Sequence, residues 1–121
     1  MDPRQKLPDA SHPITVRPTG QRVVVELDGT VIADTTDALT LQESTYPAVQ
    51  YLPLAAVDPA VLRPSDHHTY CPFKGEADYF DLGREGELGN AVWIYRTPYD
   101  AVSEIKDHVA FYPDKVTITV G

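Results

Sequence analysis

The sequence predicts an all-β domain, mainly antiparallel, with one short α-helix near its C-terminal end. Three observations carry that expectation. β-branched residues recur with a period of two from Ile14 onward, the spacing at which alternate side chains share one face of a strand. Eleven Pro and seven Gly cut the 121 residues into pieces too short for long helices. Only residues 98–106 combine a helix cap, helical spacing and the absence of a strand-like run.

Met1 to Pro13 is charged and proline-bearing, with no apolar stretch of the kind found in a signal peptide or a membrane anchor. It is expected to be a flexible tail, which leaves residues 14–121 as a single β-rich domain. Strands are predicted at Ile14 to Arg17, Arg22 to Leu27 and Thr30 to Asp34. Asp28-Gly29 separates the second and third by two residues, the spacing of a type I′ hairpin turn. Ala38 to Glu43 alternates again with Leu39 and Leu41 on one face, and the four runs together predict an antiparallel meander.

Ser44 to His68 holds Pro47, Pro53, Pro59 and Pro64, which remove backbone donors, so it is expected to be an ordered loop packed on the sheet or a lid. Within it, Asp58 to Leu62 fits one helical turn, with proline at the first helical position. Lys74 to Phe80 reads as a strand with Gly75, Ala77 and Tyr79 on one face, small residues that must face something bulky. Ala91 to Tyr95 is an aromatic strand. Thr97-Pro98-Tyr99-Asp100 has a capping-box form and opens the predicted helix, whose inner face is Ala101, Val102 and Ile105. Val109 to Tyr112 and Lys115 to Val120 return to strand around Pro113-Asp114.

A chain of this length excludes a two-domain enzyme. Ten Lys plus Arg against eighteen Asp plus Glu give a net charge of -8, a field that repels phosphate backbones and anionic membranes. Neither general nucleic-acid binding nor membrane association is expected. The single cysteine, Cys71, excludes an intramolecular disulfide and fits a reducing, cytoplasmic location.

The densest chemistry lies in Arg63 to Gly75. Together with Arg22 to Asp34, Glu43, Tyr51, Pro53, Trp93, Tyr95 and Ala110-Phe111-Tyr112, the run Thr69-x-Cys71-Pro72-x-Lys74-Gly75-x-Ala77-x-Tyr79 resembles the family catalogued as domain of unknown function 427. The resemblance covers residues 14–120, and the family carries the provisional label nucleotidyltransferase-like. It implies a compact all-β domain of two leaning sheets, tent- or sandwich-like, with a cleft near the Cys-Pro-x-Lys-Gly segment.

Read as chemistry, Lys74, Arg63 and the Thr69 hydroxyl are candidates to grip a small anionic or nucleotide-like ligand, with Tyr79 and Trp93 as pocket walls. The bland alternatives are solvated strand charges and core aromatics. Cys71 is either a nucleophile activated by Lys74 or His68, or a small buried hydrophobe. Glu43 is either an exposed strand end or an inward carboxylate paired with Arg63 or Lys74, and it stands beside Cys71 as a catalytic candidate. Nucleotidyl transfer would need two metal-sharing carboxylates; Glu76 and Asp78 are two apart on one strand face, but no phosphate-cradling glycine loop accompanies them. His67-His68, with His12, His108 and Cys71, lacks the spacing of a zinc site, so no metal and no cofactor is predicted. The alternative function is a non-catalytic interaction module, or a homodimer, built on a sheet edge or on the apolar proline-rich segment.

Overall fold

A computed structural model describes residues 2–121 as ten strands in two antiparallel sheets, with three short 3-10 segments. The strands are β1 (Ile14–Pro18), β2 (Val23–Leu27), β3 (Thr30–Thr35), β4 (Leu39–Glu43) and β5 (Val49–Pro53) in the first half. The second half holds β6 (Leu62–Cys71), β7 (Gly75–Leu82), β8 (Leu88–Ile94), β9 (His108–Phe111) and β10 (Thr117–Val120). Seven of them form one sheet in the order β1-β4-β5-β9-β8-β7-β6, and the other three form a second in the order β10-β2-β3. The all-β, two-sheet expectation holds.

Asp28 and Gly29 both have positive φ, 50° and 80°, and Leu27 pairs with Thr30. This is the backbone a two-residue primed turn requires, and glycine meets it without the steric cost a Cβ would bring. The meander, by contrast, does not form. β1 pairs with β4, from Ile14 opposite Glu43 to Pro18 opposite Leu39, while the β2–β3 hairpin leaves for the other sheet and takes β10 as its third strand. β2 takes a partner about ninety residues away, and local pattern carries no record of such a pairing.

The proline-rich segment is also more regular than expected. It contains β5, a short central strand whose proline sits at its last residue, and most of β6, where Pro64 is tolerated because β6 is a sheet edge. Asp58 does start a turn at Pro59–Val61, its side chain accepting from the Ala60 N–H at 2.9 Å. The expected α-helix is replaced by a 3-10 segment, Asp100–Ile105, broken by a non-helical Val102 (φ -130°, ψ 29°). Tyr99 is its cap and offers no side-chain bond, so Thr97 does not close a capping box. The eight residues between Tyr99 and β9 are too few for a cooperative α-helix, but they suffice to bury Val102 and Ile105.

Period-two alternation divides the seven-stranded sheet into two unlike faces. Leu52, Phe80, Leu82, Val92, Ile94 and Val109 point toward Val23, Val25 and Ile32 of the second sheet and make an aliphatic core between the layers. Tyr51, Tyr79 and Ala110 point the other way, onto Tyr95, Val102 and Ile105. Ala77 lies against this second cluster, the bulky neighbour that its size anticipates. Residues 2–13, the expected tail, make specific contacts: the Lys6 N–H donates to the Pro72 carbonyl at 2.9 Å, and the Arg4 guanidinium lies 3.8 Å over the Tyr70 ring. No helix among the described residues is long and apolar enough to cross a membrane.

Candidate functional site

Two turns bring the central pair of this site together. Glu43 ends β4, next to Ser44 in a left-handed conformation (φ 50°). Lys74 ends the three-residue turn that follows Cys71, just before Gly75 (φ 108°), where a Cβ would stand 3.5 Å from the Thr97 carbonyl. The strands bearing these residues are separated in the sheet by β5, β9 and β8, yet Lys74 Nζ donates to Glu43 Oε1 at 2.5 Å. The aromatic face is therefore concave, curled until its two ends meet across an ion pair.

Lys74 is 8% exposed, and among the described residues it is the one charged or polar residue buried in the core. Its ammonium also lies 3.8 Å from the Cys71 sulfur. Glu43 is held at its second oxygen by His12, whose Nε2–H donates to Oε2 at 2.8 Å while the ring stacks on Phe73 at 4.2 Å. Burial pushes the Glu43 carboxyl upward, but hydrogen bonds and charge from Lys74 and His12 outweigh it and hold the group below the usual glutamate range.

Over this pair lies a cavity of about 230 Å³. Tyr46, Val49, Tyr51, Tyr79, Trp93, Tyr95 and Tyr112 contribute to its walls. Trp93 Nε1–H donates to the Tyr51 hydroxyl at 3.2 Å, and the Trp93 and Tyr112 rings lie 4.8 Å apart. Burial holds the Tyr51 and Tyr95 phenols well above the ordinary tyrosine range, so both remain O–H groups at any working pH.

Of the residues singled out in the sequence, Glu43, Lys74, Tyr79 and Trp93 line the cavity. Cys71 stands behind Lys74, half-buried and packed on the aromatic cluster. Thr69 lies on the edge strand outside the cavity, and its hydroxyl is bonded to the Tyr79 hydroxyl at 2.9 Å. Arg63 is not part of the site. It sits at the other end of β6, opposite Asp81, with its guanidinium on the Arg84 carbonyl. Six residue steps along β7, on the order of 20 Å, separate it from the Lys74 turn. Glu76 and Asp78 do not form a metal-sharing pair either: Asp78 meets His68 at 2.8 Å and Arg96 at 3.1 Å, and Glu76 faces Arg4 at 3.9 Å. Among the described residues no three His, Cys, Asp or Glu gather where they could hold a metal ion.

Sequence reading missed His12 as a partner of Glu43, since 31 residues separate them and no local pattern links the two. The sequence offers Tyr95, like Tyr79 and Trp93, as a core aromatic or a pocket wall, and Tyr112 only as a member of the motif. A family model described as Domain of unknown function (DUF427) matches residues 15–121. The chain belongs to that family. The match takes in both halves of the Glu43–Lys74 pair and every aromatic wall of the cavity, while His12 precedes it. No curated protein matches the chain.

Proposed function

We propose that this DUF427 domain binds a small molecule in the aromatic cavity, with an acceptor group of the ligand, anionic or of the carbonyl type found on nucleobases, taking a Lys74 N–H. The observation that carries this reading is Lys74 itself. Removing an ammonium from water is costly, and a hydrophobic pair of the same volume would hold the fold as well as the ion pair does. A charge kept in such a place, beneath aromatic walls and at the floor of a cavity, is the usual form of a small-molecule site. An ammonium has three N–H groups, and Glu43 and Cys71 take two.

The volume limits the ligand. About 230 Å³ is below the roughly 300–1,000 Å³ typical of drug-sized ligands, so one ring system fits and a whole triphosphate does not. With Arg63 remote and Glu76 and Asp78 paired elsewhere, nucleotidyl transfer gains no support from this arrangement. The interaction-module alternative rests on less: of the large apolar residues from Tyr46 to Leu54, Tyr46 is exposed, but Tyr51 and Leu52 are buried.

A thermal-shift screen of nucleobases, nucleotides, small carboxylates, and short- and long-chain amides tests the proposal. At least one compound should raise the melting temperature of the wild-type chain. The doubly substituted Glu43→Gln, Lys74→Met chain, which leaves no lone buried charge, should bind that compound more weakly by about 1.5–3 kcal/mol, the value of a charge-assisted hydrogen bond. Undiminished binding by the double variant, or no shift with any compound, overturns it.

A further inference from the structure

We infer that the ligand is amphipathic: an uncharged head of the amide or hydroxyl class seated over the Glu43–Lys74 pair, joined to an apolar tail that runs past Trp93 into the groove between the two sheets. This rests on the small-molecule reading above and narrows it to a ligand class.

The head follows from charge. Lys74 and Glu43 neutralise each other as a unit, and His12 covers the second oxygen of the carboxylate. An anionic head at Lys74 would enter within reach of the Glu43 carboxylate, and a cationic head would meet the ammonium. Either adds an uncompensated charge beside a pair that is already neutral, in a cavity walled largely by rings, where part of its hydration is lost. An amide or alcohol accepts from the spare Lys74 N–H and can donate to a wall phenol, so every polar atom is matched and the charge balance is kept.

The tail follows from the neighbouring groove. Tyr46, Pro47, Val49 and Trp93 line both the cavity and a second depression of about 510 Å³, so the two adjoin. Beyond those residues the groove is walled chiefly by Phe111, Pro113, Ile118 and Val120, and no charged side chain lines it. It offers more than twice the space of the cavity, and the amide of Gln50, the one uncharged polar side chain of amide type in its lining, is already engaged by the Thr19 and Thr40 hydroxyls. A mainly apolar lining whose amide is already bonded suits a tail whose position is set elsewhere, and Lys74, in the adjoining cavity that shares Trp93, is the group available to set it. β10 contributes Ile118 and Val120 and is a sheet edge, so the groove remains open to solvent along one side.

Titration calorimetry on the full chain with matched probes tests both halves. Octanamide, octanoate and octylammonium share one tail and differ in head charge, and acetamide has the head alone. Octanamide should bind at least about tenfold more tightly than either charged analogue and than acetamide. Val120→Asp, a change at a position already 42% exposed and so tolerable to the fold, should weaken octanamide by about tenfold without altering the melting temperature of the free chain. Octanoate binding as well as octanamide would overturn the uncharged head. Acetamide matching octanamide, or Val120→Asp without effect, would overturn the tail. If the octyl probes fail while a nucleobase or a short carboxylate binds through Lys74, this inference falls and the small-molecule reading stands. If no probe of any class binds, both fall; and if Val120→Asp instead converts a dimer to a monomer in size-exclusion chromatography, the groove belongs to a second copy of the chain.

Discussion

The two faces of the seven-stranded sheet are built by the same strands and do different things. Toward the second sheet, Leu52, Leu82, Val92, Ile94 and Val109 are fully enclosed and apolar. One residue away along the same strands, Tyr51, Tyr79, Trp93 and Ala110 face a curved space with an ion pair at its floor. The first face needs only volume and hydrophobicity, because dispersion and water exclusion have no direction. The second must satisfy hydroxyls, an indole N–H, an ammonium and a carboxylate, each with its own geometry, and it leaves space unfilled. Stability explains the first face completely; it does not explain why the second retains a charge.

The sharpest way to break this contrast is to separate the pair. Glu43→Leu alone strands the Lys74 ammonium and should cost about 3–5 kcal/mol in denaturant unfolding, while adding Lys74→Met should restore stability to near the wild-type value or above it. A double variant as unstable as the single one would make the pair structural cement and erase the distinction between the faces. On the aliphatic side, Leu52→Ala should cost about 2–5 kcal/mol, with no compensating second change, because the cavity it leaves cannot be refilled by a neighbour. The covering sheet depends on its hairpin, so Gly29→Val should destabilise by more than about 1 kcal/mol; an unchanged melting temperature would show that the β2–β3 pairing does not need the left-handed turn.

A subtler test uses acid. Glu43 titrates below its ordinary value in the folded chain, so the stability it contributes is fully present above about pH 4.3 and is lost as the pH falls through its lowered folded value. Glu43→Gln should flatten that part of the acid limb in pH-dependent unfolding, whereas Leu52→Ala should shift the whole curve and leave its slope alone. Equal slopes in the wild-type and Glu43→Gln chains would show that the pair is not the group being titrated.

Much of the candidate site was legible before any coordinates. Lys74, Tyr79 and Trp93 stand in a pattern whose small residues, Gly75 and Ala77, are expected to face something bulky, and Gly75 lies beside the Tyr99 ring and Ala77 in the aromatic cluster. Glu43 was legible only as a question, inward or exposed, and its choice of Lys74 over Arg63 came from the curl of the sheet. Arg63 was misjudged because nearness in sequence to Lys74 means little along an extended strand, where each residue adds about 3.3 Å. His12 was invisible as a partner, since nothing in a charged leader marks the carboxylate it will meet.

The sequence by itself determined eight of the ten strands, β5 and β6 excepted, together with the Asp28-Gly29 turn and the alternation that divides a strand into two faces. These depend on φ and ψ of adjacent residues and on a period of two, both local quantities that residue order encodes directly. Only the tertiary structure decided which strands pair, that β10 completes the sheet begun by β2 and β3, and that β4 curls round to place Glu43 against Lys74. Those outcomes compare the free energies of alternative long-range pairings, each a sum of buried area and closed loops over the whole chain, and no window of neighbouring residues contains that sum.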